Sequence, residues 1–170
     1  MQTPKIFNSL YQFVFNNKKM SWLWLIVRLY LGYEWVYAGY EKIVNPIWVG
    51  STAGGALTGF INGALAKTAG SHPDVSGWYA WFLQNTVLPY VNIWSHAVAF
   101  GELFVGLGLM FGALTFLAAF FGFFMNLNYL LAGTISSNPI LLILALLVML
   151  AHHTAGYIGL DNYLFKKNRL

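Results

Sequence analysis

The sequence predicts an all-α integral membrane protein: a four-helix bundle with a long extracytoplasmic loop that carries short interfacial helices. Three observations predict it. Of the 170 residues, 58% are hydrophobic and 8% charged, against about 25% charged in an ordinary soluble domain, and mean hydropathy is +0.60. The apolar residues gather into stretches near the ~20 residues that a span requires. Finally, residues 98–131 are apolar almost without interruption. As one helix they would run about 50 Å, far beyond a hydrocarbon core of ~30 Å, so they hold two spans. A single membrane domain over 1–170 accounts for the length.

Residues 1–20 place Ile6, Phe7, Leu10, Phe13 and Val14 at helical spacing and end in Lys18 and Lys19, which predicts a short interfacial helix with a basic anchor. The first span, about 21–42, reads SWLWLIVRLYLGYEWVYAGYEK. Arg28 and Glu34 interrupt it and it is too long for the core of a signal peptide, so it is read as a retained helix. Residues 43–94 form the outer loop. Leu57, Phe60, Ile61 and Leu65 follow i, i+3, i+4, i+8, and Trp78, Trp81 and Phe82 resume the pattern beyond Ser71-His72-Pro73-Asp74, giving two amphipathic pieces at headgroup level or capping the bundle. The second and third spans cover about 95–112 and 115–132, with the break near Gly112 and Thr115, where Gly108 and Gly112 make a small-xxx-small face. The fourth, about 139–157, begins at Pro139, a residue suited to a helix's first turn. Residues 158–170 form a tail.

Basic residues cluster at the two ends: Lys5, Lys18, Lys19, Lys166, Lys167 and Arg169, against Lys42 and Lys67 in the long loop. By the positive-inside rule both termini are cytoplasmic and the long loop faces outward, in a cell-membrane protein. The positive balance arises from few charges facing anionic lipid. It predicts the bilayer as partner and no nucleic-acid surface.

Ionisable side chains inside apolar spans are the functional candidates, because each costs several kcal/mol, roughly 2.5–3.5, unless it faces protein or water. Along the first helix Tyr30, Glu34, Tyr37 and Glu41 fall within roughly 60° of one another, at about 100° per residue, whereas Glu41, Lys42 and Tyr40 fit the water boundary. Counted from the outer boundary, Glu34, Glu102 and Asn126 all lie about 10 Å deep, so three helices offer polar groups at one level. Arg28 is placed near mid-membrane. Glu34 and Glu102 are assigned as proton-handling groups and Arg28 as anion or carboxylate partner, with Tyr30, Trp35, Tyr37 and Asn126 lining a pocket. An interhelical polar network that fixes packing is the alternative. With no cysteine, the chain has no thiol chemistry or iron–sulfur ligation of its own. His96 lies near the outer end while His152 and His153 lie toward the inner one, and adjacent histidines point to different faces, so no bound haem or metal is predicted.

Arg28-x3-Gly32, Gly39-x2-Lys42, Gly101-Glu102-Leu103, Gly106-Leu107-Gly108, Gly112-x2-Thr115, Asn126-Leu127-Asn128-Tyr129 and Gly156-Tyr157-Ile158-Gly159-Leu160-Asp161 occur in that order. Together, over about residues 24–164, they resemble the DoxX family, and the glycine- and aromatic-rich first loop is most similar to its DoxD branch, the membrane subunit of thiosulfate:quinone oxidoreductase. The resemblance implies a four-helix membrane subunit that passes electrons from thiosulfate or another small reductant to membrane quinone, beside a second redox subunit. Two other classes stay open: a non-catalytic anchoring or assembly subunit, and a small-solute carrier or channel built from a homo-oligomer.

Overall fold

The computed structural model describes residues 5–165, all helix, turn and loop, with no strand among them. The basic tail at Lys166, Lys167 and Arg169 and the side chains of Ile6 and Phe7 lie outside what is described. Four longer helices dominate: α2 (Ser21–Ile43), α5 (Val91–Phe111), α6 (Thr115–Leu131) and α7 (Asn138–Leu150). Shorter helices are α1 (Lys5–Tyr11), α3 (Gly55–Leu65), α4 (Gly77–Phe82), α8 (His152–Ala155) and α9 (Leu160–Leu164). The helical run Gly77–Phe111 is long and apolar enough to cross a bilayer, and α6 and α7 are shorter apolar helices.

Helix α2 packs along α5, α5 on α6, α6 on α7, and α7 back on α2. The first contact is close because both helices present glycines. A Cβ at Gly39 would sit 2.5 Å from the Leu103 backbone nitrogen, and one at Gly106 would sit 2.5 Å from that of Val36. Such backbone approach is how helices associate where no hydrophobic effect separates them from their surroundings. Behind it, Trp24, Leu31, Trp35, Val105, Leu109, Ala119 and Val148 form the main core.

Helix α5 ends at Gly112 (φ +62°), and α6 starts after Leu114 (φ +50°), a left-handed residue that is not glycine. Of the small-xxx-small pair, Gly108 meets Ala118 of α6, whereas Gly112 makes the turn and faces Arg28. A second core, with Leu57, Ile61, Val75, Tyr79, Leu83 and Val87, joins α3 and α4 over the outer end of the bundle. The amphipathic spacing expected here puts Leu57 and Ile61 inside, but Trp78 and Trp81 are exposed and Tyr79 takes the buried position. Lys67 ties this cap to the end of α6 by donating to the Gly133 carbonyl (2.6 Å).

At the opposite end, residues 12–16 form a π-turn docked beneath the bundle. The Trp24 indole donates to the Val14 carbonyl (2.9 Å) and the Thr154 hydroxyl to that of Phe15 (2.6 Å). The segment about 139–157, expected as one span, is interrupted at Ala151 between α7 and α8. Residues 158–161, expected in the cytoplasmic tail, fold back into the bundle, where Asp161 is buried.

Candidate functional site

Two buried polar clusters and one apolar cleft stand out. The outer cluster is built on α5. Glu102, 1% exposed, receives Lys42 Nζ at 2.7 Å on Oε2 and the Tyr129 hydroxyl at 2.6 Å on Oε1. These are charge-assisted contacts at the short end of their range. Lys42 comes from the last turn of α2, where a cation also favours the helix's carbonyl end. Its ammonium lies 5.2 Å over the Trp48 ring, and its side chain is 21% exposed. Lys42, Glu102 and Tyr129 therefore connect the rim of the bundle to its interior. A carboxylate between an ammonium and a phenol can accept and return a proton.

The inner cluster joins segments far apart in sequence. The Arg28 guanidinium, fully buried, donates through Nη2 to the Ile158 carbonyl (2.6 Å) and lies against the backbone at Gly112 and Gly159, where a Cβ would strike it. Asp161 accepts from the Leu114 amide (2.6 Å) and the Thr115 amide (2.9 Å), while its own amide donates to the Gly112 carbonyl (2.8 Å). It caps α6 from forty-six residues away in sequence, supplying acceptors that no local residue offers. The Asp161 carboxylate is close enough for its charge to attract Arg28.

The cleft, about 840 Å³, runs between α5 and α6. Phe104, Val105, Leu117, Phe121, Phe124 and Met125 line its length, Phe111, Leu114 and Leu160 its inner end, and Phe60, Tyr79, Asn128 and Tyr129 its outer end. Tyr79 donates toward the Asn128 backbone and side-chain oxygens (3.0 and 3.1 Å). Tyr129 thus belongs both to the cleft wall and to the outer cluster.

The residues expected from sequence are distributed as follows. Glu102 is central to the outer cluster and Arg28 to the inner one. Gly112, level with Arg28, is ten residues from Glu102 on α5, about 15 Å at 1.5 Å per residue. Arg28 accordingly sits at the inner turn, not midway along the bundle, and its acidic neighbour is Asp161, neither Glu34 nor Glu102. Glu34 is half-buried on the outward side of α2. Trp35 and Asn126 face inward, at 3% and 0% exposure, while Tyr30 and Tyr37 are exposed, so these four do not converge on one pocket. The indole nitrogen of Trp35 lies 3.2 Å from the Cβ position of Gly122, and its ring is 6.5 Å from that of Tyr129. Asn126 falls between those two positions on the same stripe of α6, and its amide atoms have no hydrogen-bond partner.

Lys42, Tyr129 and Asp161 are the members that sequence reasoning did not assign. Lys42 and Asp161 stood in the quoted motifs as single residues near span ends, and no local pattern shows which helix each would meet. His152 bonds the Met149 carbonyl (3.0 Å) and His96 that of Asn92 (2.8 Å). Among the described residues, no three His, Asp or Glu side chains gather to hold a metal ion.

Comparison with known proteins gives one finding: the family model DoxX matches residues 23–153. No curated protein and no solved structure matches the chain significantly.

Proposed function

Because the chain belongs to the DoxX family, which is membrane-associated, we propose that it is a multi-pass subunit of a redox system that delivers electrons to membrane quinone. In this reading α2, α5, α6 and α7 cross the cell membrane, α3 and α4 cap its outer face, and both termini are cytoplasmic. The cleft carries the proposal. Its volume lies in the range of small-molecule sites, its length is apolar enough for an isoprenoid tail, and its outer end alone presents hydroxyl and amide groups that would suit a quinone headgroup.

Quinone reduction takes up two electrons and two protons. Lys42, Glu102 and Tyr129 support the proton half: Tyr129 would meet the headgroup oxygen, and Glu102 would resupply its proton from the rim. The electron donor follows the DoxD likeness. Two thiosulfate ions lose two electrons in forming tetrathionate, which balances one quinone reduced to quinol. Without cysteine, the chain cannot hold sulfur as a persulfide, so electrons pass directly to quinone or through the redox centre of a partner subunit. Arg28, enclosed by the backbone at Gly112, Ile158 and Gly159, anchors the inner end in this reading and does not meet the sulfur substrate.

The test is quinone reduction with thiosulfate by the purified chain in lipid, alone and with proteins that co-purify from its native membrane. Glu102→Gln is expected to lower turnover at least tenfold while the folded protein still inserts. Unchanged turnover in the inserted variant removes Glu102 from the mechanism. Absence of turnover under both conditions, from folded protein, favours an anchoring subunit.

A further inference from the structure

Helix α2 has two opposed stripes. One is buried against α5; the other is uncovered, with Leu23, Ile26, Tyr30, Tyr33, Tyr37 and Tyr40 all between 45% and 65% exposed. Their spacing is 3, 4, 3, 4, 3, the a/d repeat of a left-handed helix pair. The composition of this stripe differs from the other outward faces. Exposed side chains along α6 and α7, such as Phe120, Leu127, Ile143 and Leu146, are hydrocarbon and suit lipid. The α2 stripe instead carries four phenols, and Glu34 lies half-buried at its edge. Tyrosine favours the headgroup level, but Tyr30 is thirteen residues from the outer end of α2, about 20 Å inside. A carboxylate beside hydrocarbon is costly without a partner.

We infer that the tyrosine stripe of α2 is a docking surface for the same stripe of a second copy of this chain. The occupant follows from the chemistry of the stripe. It presents hydrogen-bond donors, the phenols, and acceptors, Glu34 at its edge and Glu41 beside Tyr37, so a twofold axis along the bundle brings the donors of one copy to the acceptors of the other. Such an isologous contact requires one surface to complement itself. Two copies inserted in the same orientation place their α2 helices parallel, as a twofold axis along the bundle requires. Tyr33 and Tyr37 already stack, with ring centroids 6.2 Å apart, which gives the stripe a preformed aromatic ridge. The inference rests on the membrane part of the proposed function and is independent of its redox part.

The chain contains no cysteine, so single-cysteine variants report one position each. Ile26→Cys keeps every tyrosine; Tyr33→Cys and Tyr37→Cys probe the ridge, and Phe120→Cys and Ile143→Cys probe the hydrocarbon faces. Oxidation of cell membranes carrying each variant is expected to give a band of twice the chain mass at positions 26, 33 and 37, at least fivefold stronger than at 120 and 143. Equal yields at all five positions, no doubled band at the first three, or an adduct of another mass at those three would overturn the inference. Retention after alkaline washing is measured on the same membranes. A retained chain that does not cross-link overturns the stripe alone, while a chain washed away overturns both the stripe and the membrane reading.

Discussion

Replacing Lys42 by methionine should destabilise the fold more than replacing Glu102 by glutamine, although the two changes remove the same ion pair. The asymmetry comes from what each leaves behind. At the observed 2.7 Å separation the pair attracts by about 6 kcal/mol at an effective dielectric of ~20, but desolvating each ion costs several kcal/mol in return. Lys42→Met strands a carboxylate that is 1% exposed, held only by Tyr129, and should cost about 3–5 kcal/mol, as for other broken buried pairs. Glu102→Gln strands an ammonium that is 21% exposed and can turn toward water, so its cost should be about 1–2 kcal/mol. The double variant leaves neither charge unpaired. Residues in direct contact typically couple by about 0.5–3 kcal/mol, and this pair should fall in the upper half of that range. Reversible unfolding of the four proteins in one detergent measures the cycle. A coupling below about 0.5 kcal/mol, or a larger cost for Glu102→Gln than for Lys42→Met, would mean that the buried carboxylate does not depend on Lys42.

Asp161→Ala should lower stability by about 2–4 kcal/mol, since it removes a helix cap worth about 1–2 and the acidic neighbour of buried Arg28; the effect is measured as a lower unfolding midpoint, and a change under 0.5 kcal/mol would contradict the capping role. Asn126→Leu should leave stability unchanged or raise it by up to about 1 kcal/mol, because its amide atoms have no hydrogen-bond partner and an apolar group of similar shape removes their desolvation cost. A loss above about 2 kcal/mol would show that the amide is satisfied by a group such as an internal water.

The parts of the fold set by length and local pattern were legible in the sequence. Excess apolar length demanded a break, and α5 ends at Phe111 while α6 begins at Thr115. Spacing in the long loop pointed to Leu57 and Ile61, which enter the outer core. The polar clusters were only half legible. A helical wheel groups residues of one helix by face but does not say which neighbour that face meets, so Glu102 could be singled out without Lys42 or Tyr129. Depth counting assumed that spans begin at common levels. The α5–α6 turn falls at Gly112, ten residues below Glu102, and Arg28 comes level with it. The capping of α6 by Asp161 is a contact across forty-six residues, which no local signal carries. Glu34 and the tyrosines around it were grouped correctly as a face, but nothing in one helix distinguishes a face turned inward from one turned outward.

The central claim is that the α5–α6 cleft takes quinone, and the most direct measurement is photolabelling of the purified protein in lipid with a photoreactive isoprenoid quinone, followed by peptide mapping. Label is expected on the cleft walls, around Phe104, Phe121 and Met125, competed by unlabelled quinone and reduced by filling the cleft with Gly101→Leu. Label confined to other surfaces, or cleft label that excess quinone does not displace, would contradict it.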